Sequence, residues 1–430
     1  MALHWQILIA LFLAALAGTF VGESFLGLPL LGIYDFFGGL FLDALKMLIV
    51  PLVVASIISG VASIGNGHGV GRLSVRVALY YLFSTALAVG TALLVVQAIQ
   101  PGVQNGQPLS ETFALPQIDA EVAARFEGRE LTDFTQVFRD AIPANVVDAA
   151  ANNQMLGLIF FSILFGFVLT RISSPGRQVV RDFFEGLQDI MVQITHIVMK
   201  FAPYGVFALV AAVVTRSGIE VLLPMIDFFL TVVLGLVIHM FVILPLVLWL
   251  VARVNPVRFF AAIWPAVLVA FSTSSSAATL PITLETLRER VGVSKETSSF
   301  VLPLGATINM DGTALYECAA VLFIAQAYGV DLSLGAQLLV VVLALATSIG
   351  VAAVPSASLV AIVLILGVLG LPLEAMALLL VVDRVLDMLR TSVNVYSDAT
   401  GAVVIGRLQG ESGILGKAPL PVRNPVEKAF

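Results

Sequence analysis

Six polar side chains inside one apolar segment constrain this chain more than any other feature. Asp383, Asp387, Arg390, Thr391, Asn394 and Asp398 lie between Leu371 and Ile405, in a run dominated by aliphatic and small residues. At about 100° per residue all six fall on a helical stripe roughly 100° wide. Each charge at bilayer depth costs at least ~2.5 to 3.5 kcal/mol on insertion scales, so three carboxylates and a guanidinium there need partners that offset the cost. Ions or a charged ligand supply such partners.

The bilayer setting follows from composition. Of the 430 residues, 59% are hydrophobic and 12% charged, with mean hydropathy +1.03, whereas ordinary soluble domains carry roughly 25% charged residues. The chain reads as an all-α polytopic membrane protein in a lipid bilayer. Its net charge of −6 is partitioned between loops, and no basic patch of the kind that binds nucleic acid is visible. The single cysteine, Cys318, excludes an intrachain disulfide and a cysteine-metal site. Trp5 to Val21 lacks a Lys/Arg-rich start and is followed by many further apolar runs, so it reads as a first span rather than a cleaved signal.

Apolar runs of membrane-crossing length occupy roughly 5–21, 30–65, 74–99, 133–172, 178–215 and 219–252. Pro51 and the Pro203-Tyr204-Gly205 group are the expected kink points. Residues 100–131 form one long polar loop. Beyond Arg253 the apolar segments are broken by small polar clusters: Ser272 to Thr279, Asn309 to Thr313, and Ala352 to Ser358 around Pro355. Non-helical backbone is tolerated at membrane depth only where protein buries it or it lines a wet cavity, so these breaks are expected to converge on a site.

The pattern also repeats. A serine-rich break is followed 36 residues later, from Ser275, by Asp311, and a proline-serine break is followed 34 residues later, from Ser356, by Arg390. Paired interrupted segments are the sequence mark of a carrier's substrate site. With both breaks treated as re-entrant hairpins, the cytoplasmic side holds 14 Lys/Arg and the outer loops only Arg125, Arg129 and Arg216. That positive-inside bias supports eight transmembrane helices plus two re-entrant helical hairpins, arranged as inverted repeats with both termini cytoplasmic.

Arg390 offers a planar fork suited to a carboxylate, and Asp387 one turn earlier offers the opposite charge. Together they suit an acidic amino acid: ammonium at Asp387, side-chain carboxylate at Arg390, α-carboxylate at the Asn394 amide. The alternative is an intrahelical Asp387–Arg390 salt bridge at i, i+3. Asp311 and Asp398, with Asn309 and freed carbonyls, suit a hard cation such as Na+. Tyr81, Ser84 and Thr85 form a hydroxyl stripe able to complete that cage or, alternatively, to bond its own helix carbonyls. The Ser272 to Ser276 run reads equally as an anion-binding tip or a small-residue packing patch. Glu317, four residues after Thr313, is a proton-coupling candidate or a glutamate reaching the interface.

These motifs resemble the glutamate/aspartate transporter family, the dicarboxylate/amino acid:cation symporters, over roughly Trp5 to Gly410. The resemblance is carried by Ser274-Ser275-Ser276 with Thr279-Leu280-Pro281, by Pro303 through Thr313, and by Asp387-Met388-Leu389-Arg390-Thr391 with Asn394 and Asp398. It implies a homotrimer with scaffold and mobile transport domains, working as an elevator. The scaffold would comprise spans 1–2 (1–72) and 4–5 (132–217), with the polar loop (101–131) between them. The transport domain would comprise span 3 (73–100), span 6 (218–254), hairpin 1 (255–293), span 7 (294–330), hairpin 2 (331–371) and span 8 (372–408), ahead of a cytoplasmic tail (409–430).

The family also implies roles. Asp387 with Thr391 takes the amino group, Arg390 and Thr313 the side-chain carboxylate, and Asn394 with the hairpin 1 tip at Ser275 and Ser276 the α-carboxylate. Backbone near Val354 and Ser358 closes over the substrate. One sodium site would use the carbonyls of Gly305, Asn309 and Asn394 with the Asp398 carboxylate, and another Tyr81, Ser84, Thr85, Asn309 and Asp311. A third would use the carbonyls of Thr307, Ser348, Ile349 and Val351. Glu317 matches the position tied to H+ coupling in eukaryotic carriers. The family's extra arginine is absent, since its usual positions are Ser274 and Met388 here; Arg384 is the nearest substitute.

The expected function is import of L-aspartate or L-glutamate coupled to Na+ and/or H+ across a cell membrane, that of a bacterial inner membrane. A C4-dicarboxylate:cation symporter is the rival within the family, disfavoured because it leaves Asp387 without an ammonium. A channel is disfavoured by one zwitterion-shaped stripe in place of repeated rings. An enzyme is disfavoured because His4, His68, His196 and His239 lack triad-like spacing to the serine run.

Overall fold

The computed structural model describes residues 3–25, 28–64, 71–113, 115, 142–152, 154–172, 175–350 and 358–415. It is almost entirely helical. The main helices are α1 (Leu3–Leu16), α2 (Leu30–Ile64), α3 (Gly71–Ile99), α4 (Met155–Arg171), α5 (Gly176–Lys200), α6 (Ala202–Ser217) and α7 (Leu223–Ile238). They continue with α8 (Pro256–Thr273), α9 (Ser276–Thr286), α10 (Lys295–Ile308), α11 (Asp311–Ala327), α12 (Leu334–Gly350), α13 (Ser358–Leu369) and α14 (Met376–Leu408). A small antiparallel ribbon, Val103–Gln104 against Gln107–Pro108, turns at Asn105-Gly106, where both residues have positive φ. Asn-Gly tolerates that conformation, which explains the tight hairpin at the start of the polar loop.

Among the described residues, five helices are long and apolar enough to cross a membrane, or six if a bent pair counts as one. The chain is therefore a multi-pass membrane protein. The expectation of eight spans includes segments that such a criterion passes over for physical reasons. α14 has 33 residues but carries Asp383, Arg384, Asp387, Arg390 and Asp398, while α4 has only 17. Of the two expected kinks, α2 runs through Pro51 as one helix. The Pro203 group instead marks a 53° bend between α5 and α6. An apolar recess of about 890 Å³ sits at that elbow, lined by residues such as Tyr34, Phe41, Phe201 and Tyr204 and by none of the polar stripe.

The helices pack in two sets. α4, α5 and α6 gather around α2, with α1 packed against α6, whereas α3, α7, α8, α9, α10 and α11 gather with α14. The pair α12 and α13 lies between α2 and α11. Buried hydrophobic side chains cover nearly every face of α11. A helix buried on nearly every face belongs at the centre of a bundle.

Local chemistry sets the breaks that matter. α8 starts where the Asn255 side chain accepts from Val257 N at 3.0 Å and Arg258 N at 3.2 Å. It ends at Ser274, whose φ of 50° is left-handed; the Ser275 hydroxyl then caps α9 by accepting from Ala278 N at 3.3 Å. The serine run is thus a helix-to-helix tip. α10 stops at Asn309 and α11 restarts at Asp311. The connection between α12 and α13, with Val351 and Val354, lies outside the described residues.

Beyond α14 the chain turns back onto the start of α10. Glu411 accepts from Ser294 N at 3.0 Å, Ser294 Oγ at 2.6 Å and Thr297 Oγ1 at 2.5 Å. Burial works to raise its carboxyl pKa, but the bonds from Ser294 and Thr297 outweigh it and hold the group below its ordinary value. A lowered folded pKa stabilises the fold fully above the unfolded value of ~4.3 and is lost as pH falls through the folded one. Thermal unfolding of wild type and Glu411→Gln, followed from neutral into the acid range, is therefore expected to show a gap that closes only at the acid end. A gap independent of pH contradicts the assignment.

Candidate functional site

Two buried polar clusters meet at the break between α10 and α11, and α14 contributes to both. The first centres on Arg390, whose side chain is only 1% exposed. Its Nη2 donates to Asp387 Oδ1 at 2.9 Å and Asp383 Oδ1 at 3.1 Å, and its Nη1 to Ser358 Oγ at 2.8 Å. The guanidinium carbon lies 4.0 Å from the centroid of the Tyr316 ring, a cation–π distance. Arg384 Nη1 donates to the other oxygen of Asp387 at 3.2 Å. Two guanidinium groups and two carboxylates thus make a charge-balanced cluster.

The intrahelical Asp387–Arg390 pair allowed by the spacing is therefore formed, and Asp383 adds a second counter-ion that the spacing does not announce. The planar fork is not used bidentately: one nitrogen holds both acids, and Nε is buried without a hydrogen-bond partner. A buried donor with no partner costs about 1–3 kcal/mol. An incoming carboxylate that takes Nε and Nη together recovers that energy.

Next to Arg390, Asn394 links α14 to the restart of α11. Its Oδ1 accepts from Gly312 N at 2.7 Å, and its Nδ2 donates to Thr313 Oγ1 at 3.1 Å. The helices touch backbone to backbone here, because a Cβ on Gly312 would fall 2.6 Å from the Arg390 carbonyl oxygen. Thr391 bonds its own helix at the Asp387 carbonyl, 2.8 Å away. Ser276 is buried at the start of α9.

The second cluster centres on Asp311, fully buried as the first residue of α11, where the helix dipole favours a carboxylate. Thr85 Oγ1 and Ser84 Oγ donate to its Oδ1 at 2.8 and 3.3 Å. Ser397 Oγ donates to Oδ2 at 2.6 Å, and His239 Nε2 lies 3.0 Å from the same oxygen. Asn309 joins the neighbouring acid: its Nδ2 donates to Asp398 Oδ1 at 2.9 Å, while its Oδ1 accepts from Ser84 Oγ at 3.1 Å. Gly305 leaves room for this arrangement, since a Cβ there would lie 2.5 Å from Asp398 Oδ1 and 2.7 Å from the Tyr81 hydroxyl. The Tyr81 hydroxyl itself donates to the Val301 carbonyl at 2.6 Å. The result is a cage of carboxylate, amide and hydroxyl oxygens of the kind hard cations prefer.

Other sequence-predicted residues are not brought together by hydrogen bonds. The Thr307 hydroxyl returns to the Leu304 carbonyl at 3.0 Å, and Ser348 to Leu345 at 2.9 Å. Only the backbone of Ile349 is described, within α12. Glu317 on α11 is fully buried, with Oε2 accepting from Thr347 Oγ1 at 2.6 Å and Oε1 without a hydrogen-bond partner. Sequence reasoning passes over His239, Ser397 and Tyr316. The available signal for His239 is that an ionisable residue inside an apolar span is functional by default.

The chain is similar to known proteins over most of its length. The chain is 38% identical over 403 residues to the proton/glutamate-aspartate symporter of Bacillus subtilis (strain 168), covering 94% of each chain. It is 34% identical over 411 residues to the proton/sodium-glutamate symport protein of Geobacillus stearothermophilus, covering 95% of each. With the rabbit (Oryctolagus cuniculus) excitatory amino acid transporter 3 it shares 36% identity over 416 residues, 87% of this chain and 79% of that one. Residues 3–408, which contain both clusters, match the sodium:dicarboxylate symporter family. The chain therefore belongs to that family, one of secondary transporters and not of enzymes.

Proposed function

We propose that this protein is a secondary active symporter importing L-aspartate and L-glutamate with Na+, H+ or both. The observation that carries the reading is Arg390: a buried guanidinium whose Nε has no partner, set one turn from Asp387 on a helix at bilayer depth. Substrate arrival exchanges partners. The side-chain carboxylate takes the Arg390 fork beside Thr313, the ammonium takes Asp387 beside Thr391, and Asn394 with the Ser275–Ser276 tip receives the α-carboxylate. Val354 and Ser358 close the site.

Sodium is co-transported cargo in this reading. Asp311, Asn309, Ser84, Thr85 and Tyr81 form one cage. Asp398, Asn309, Asn394 and Gly305 form another, and Thr307, Ser348, Ile349 and Val351 a third. Glu317, whose Oε1 lacks a partner, carries the proton where H+ is coupled. The names of the relatives support both ions. The two sets of packed helices support a scaffold and a moving transport domain; the reading also takes the protein as a homotrimer in a bacterial inner membrane with both termini cytoplasmic.

The test is radiolabelled aspartate uptake into liposomes, with sodium, proton and potassium gradients imposed separately. L-Aspartate and L-glutamate are expected to compete strongly and succinate weakly. Potent block by succinate with none by L-aspartate reverses the substrate to a C4-dicarboxylate.

A further inference from the structure

His239 is fully buried on the helix that continues α7, yet no role described so far uses it. It opens a π-helical turn, His239–Ile243, in which Leu244 N–H bonds the His239 carbonyl five residues back. Pro245 follows, a residue without an N–H that cannot continue the ordinary ladder. Wide turns of this kind are used to re-aim side chains at functional positions. Here the imidazole is aimed at Asp311, with Nε2 3.0 Å from Oδ2, while Nδ1 is buried without a partner. The hydrogen therefore belongs on Nε2, because a hydrogen on Nδ1 would have no acceptor and two lone pairs would face each other across the 3.0 Å contact.

Four polar groups face the two oxygens of Asp311, the Ser84 hydroxyl sharing its single hydrogen with the nearer Asn309 Oδ1. Three of them, from Ser84, Thr85 and Ser397, are hydroxyls. A hydroxyl can rotate its hydrogen away and offer a lone pair to a cation. The imidazole N–H cannot, so it remains the fixed donor while the hydroxyls adapt.

We propose that His239 is a positioning residue for the co-transported sodium. Its Nε2–H pins Asp311 Oδ2 and so makes Oδ1, flanked by Ser84 and Thr85, the oxygen presented to the ion. This inference rests on the reading of the Asp311 cluster as a cation site.

The experiment uses the full chain. Sodium titrations are followed two ways: thermal stability in detergent without amino acid, and initial aspartate uptake in liposomes. Loss of an outer partner of a metal ligand typically costs about 10–100-fold in affinity, so His239→Leu is expected to raise the sodium half-saturation by that factor. Maximal uptake at saturating sodium stays close to wild type. His239→Gln places an amide N–H near the Nε2 position and is expected to restore the wild-type titration. His239→Asn reaches only as far as Nδ1 and behaves like the leucine variant, which it replaces if H239L is not monodisperse. A wild-type sodium titration in H239L or H239N overturns the proposal, as does equal impairment of H239Q. If wild-type uptake ignores sodium, or Asp311→Asn leaves the titration unmoved, the cation-site reading falls and the proposal with it.

Discussion

Arg390→Ala is expected to abolish aspartate uptake. Truncating one member of a buried, hydrogen-bonded charge pair costs about 2–5 kcal/mol of binding, which is a loss of roughly 30-fold to several thousand-fold. The substitution also strips Asp383 and Asp387 of their common partner. Leaving the buried Asp383 carboxylate without its ion-pair partner destabilises by about 3–5 kcal/mol, so some of the loss in the single variant is structural. The double variant Arg390→Ala/Asp383→Asn separates the two effects, because it removes one orphaned charge and leaves Asp387 with Arg384. Binding of labelled aspartate by a monodisperse double variant is expected to stay far below wild type. Retained micromolar binding contradicts the assignment of Arg390 to the substrate.

The second large effect falls on the cation. Asp398→Asn keeps an oxygen for the Asn309 amide, which now sits 2.9 Å from Asp398 Oδ1, so the fold has little reason to change. What it loses is a formal charge. A unit charge 4 Å from an ion is worth about 4 kcal/mol at an effective dielectric of 20, and relief from desolving the carboxylate offsets only part of that. The sodium half-saturation for uptake is expected to rise by about tenfold or more, as one decade corresponds to ~1.4 kcal/mol. Unchanged sodium and proton titrations remove Asp398 from the cage.

Much of this site is legible in the chain because polarity is expensive in an apolar segment and therefore stands out. Asp387, Arg390, Asn394 and Asp398 are readable as one stripe, and Asn309-Met310-Asp311-Gly312 as a helix break, without any knowledge of packing. The serine tip at Ser274–Ser275 is readable for the same reason: five hydroxyl residues in a row favour a cap over a continuous helix. Partnerships are harder. Arg390 reaches Asp383 two turns away because its side chain is long, whereas spacing rules announce only neighbours three and four apart. The aim of His239 depends on a π-helical turn, which a fixed period of 3.6 residues cannot register. Thr307 and Ser348 illustrate the converse. Their hydroxyls are conspicuous in the chain yet bond their own helices, and the atoms the family resemblance assigns to the cation are their backbone carbonyls, which every residue carries.

The contact at Gly312 has a mechanical corollary. With the Arg390 carbonyl too close to admit even a methyl group, α11 and α14 meet as bare backbone, and neither helix has slack to slip or roll against its neighbour. They form a welded joint. Any shift of one helix therefore drags the other, and Asp311 and Arg390, which sit at the joint, keep their spacing.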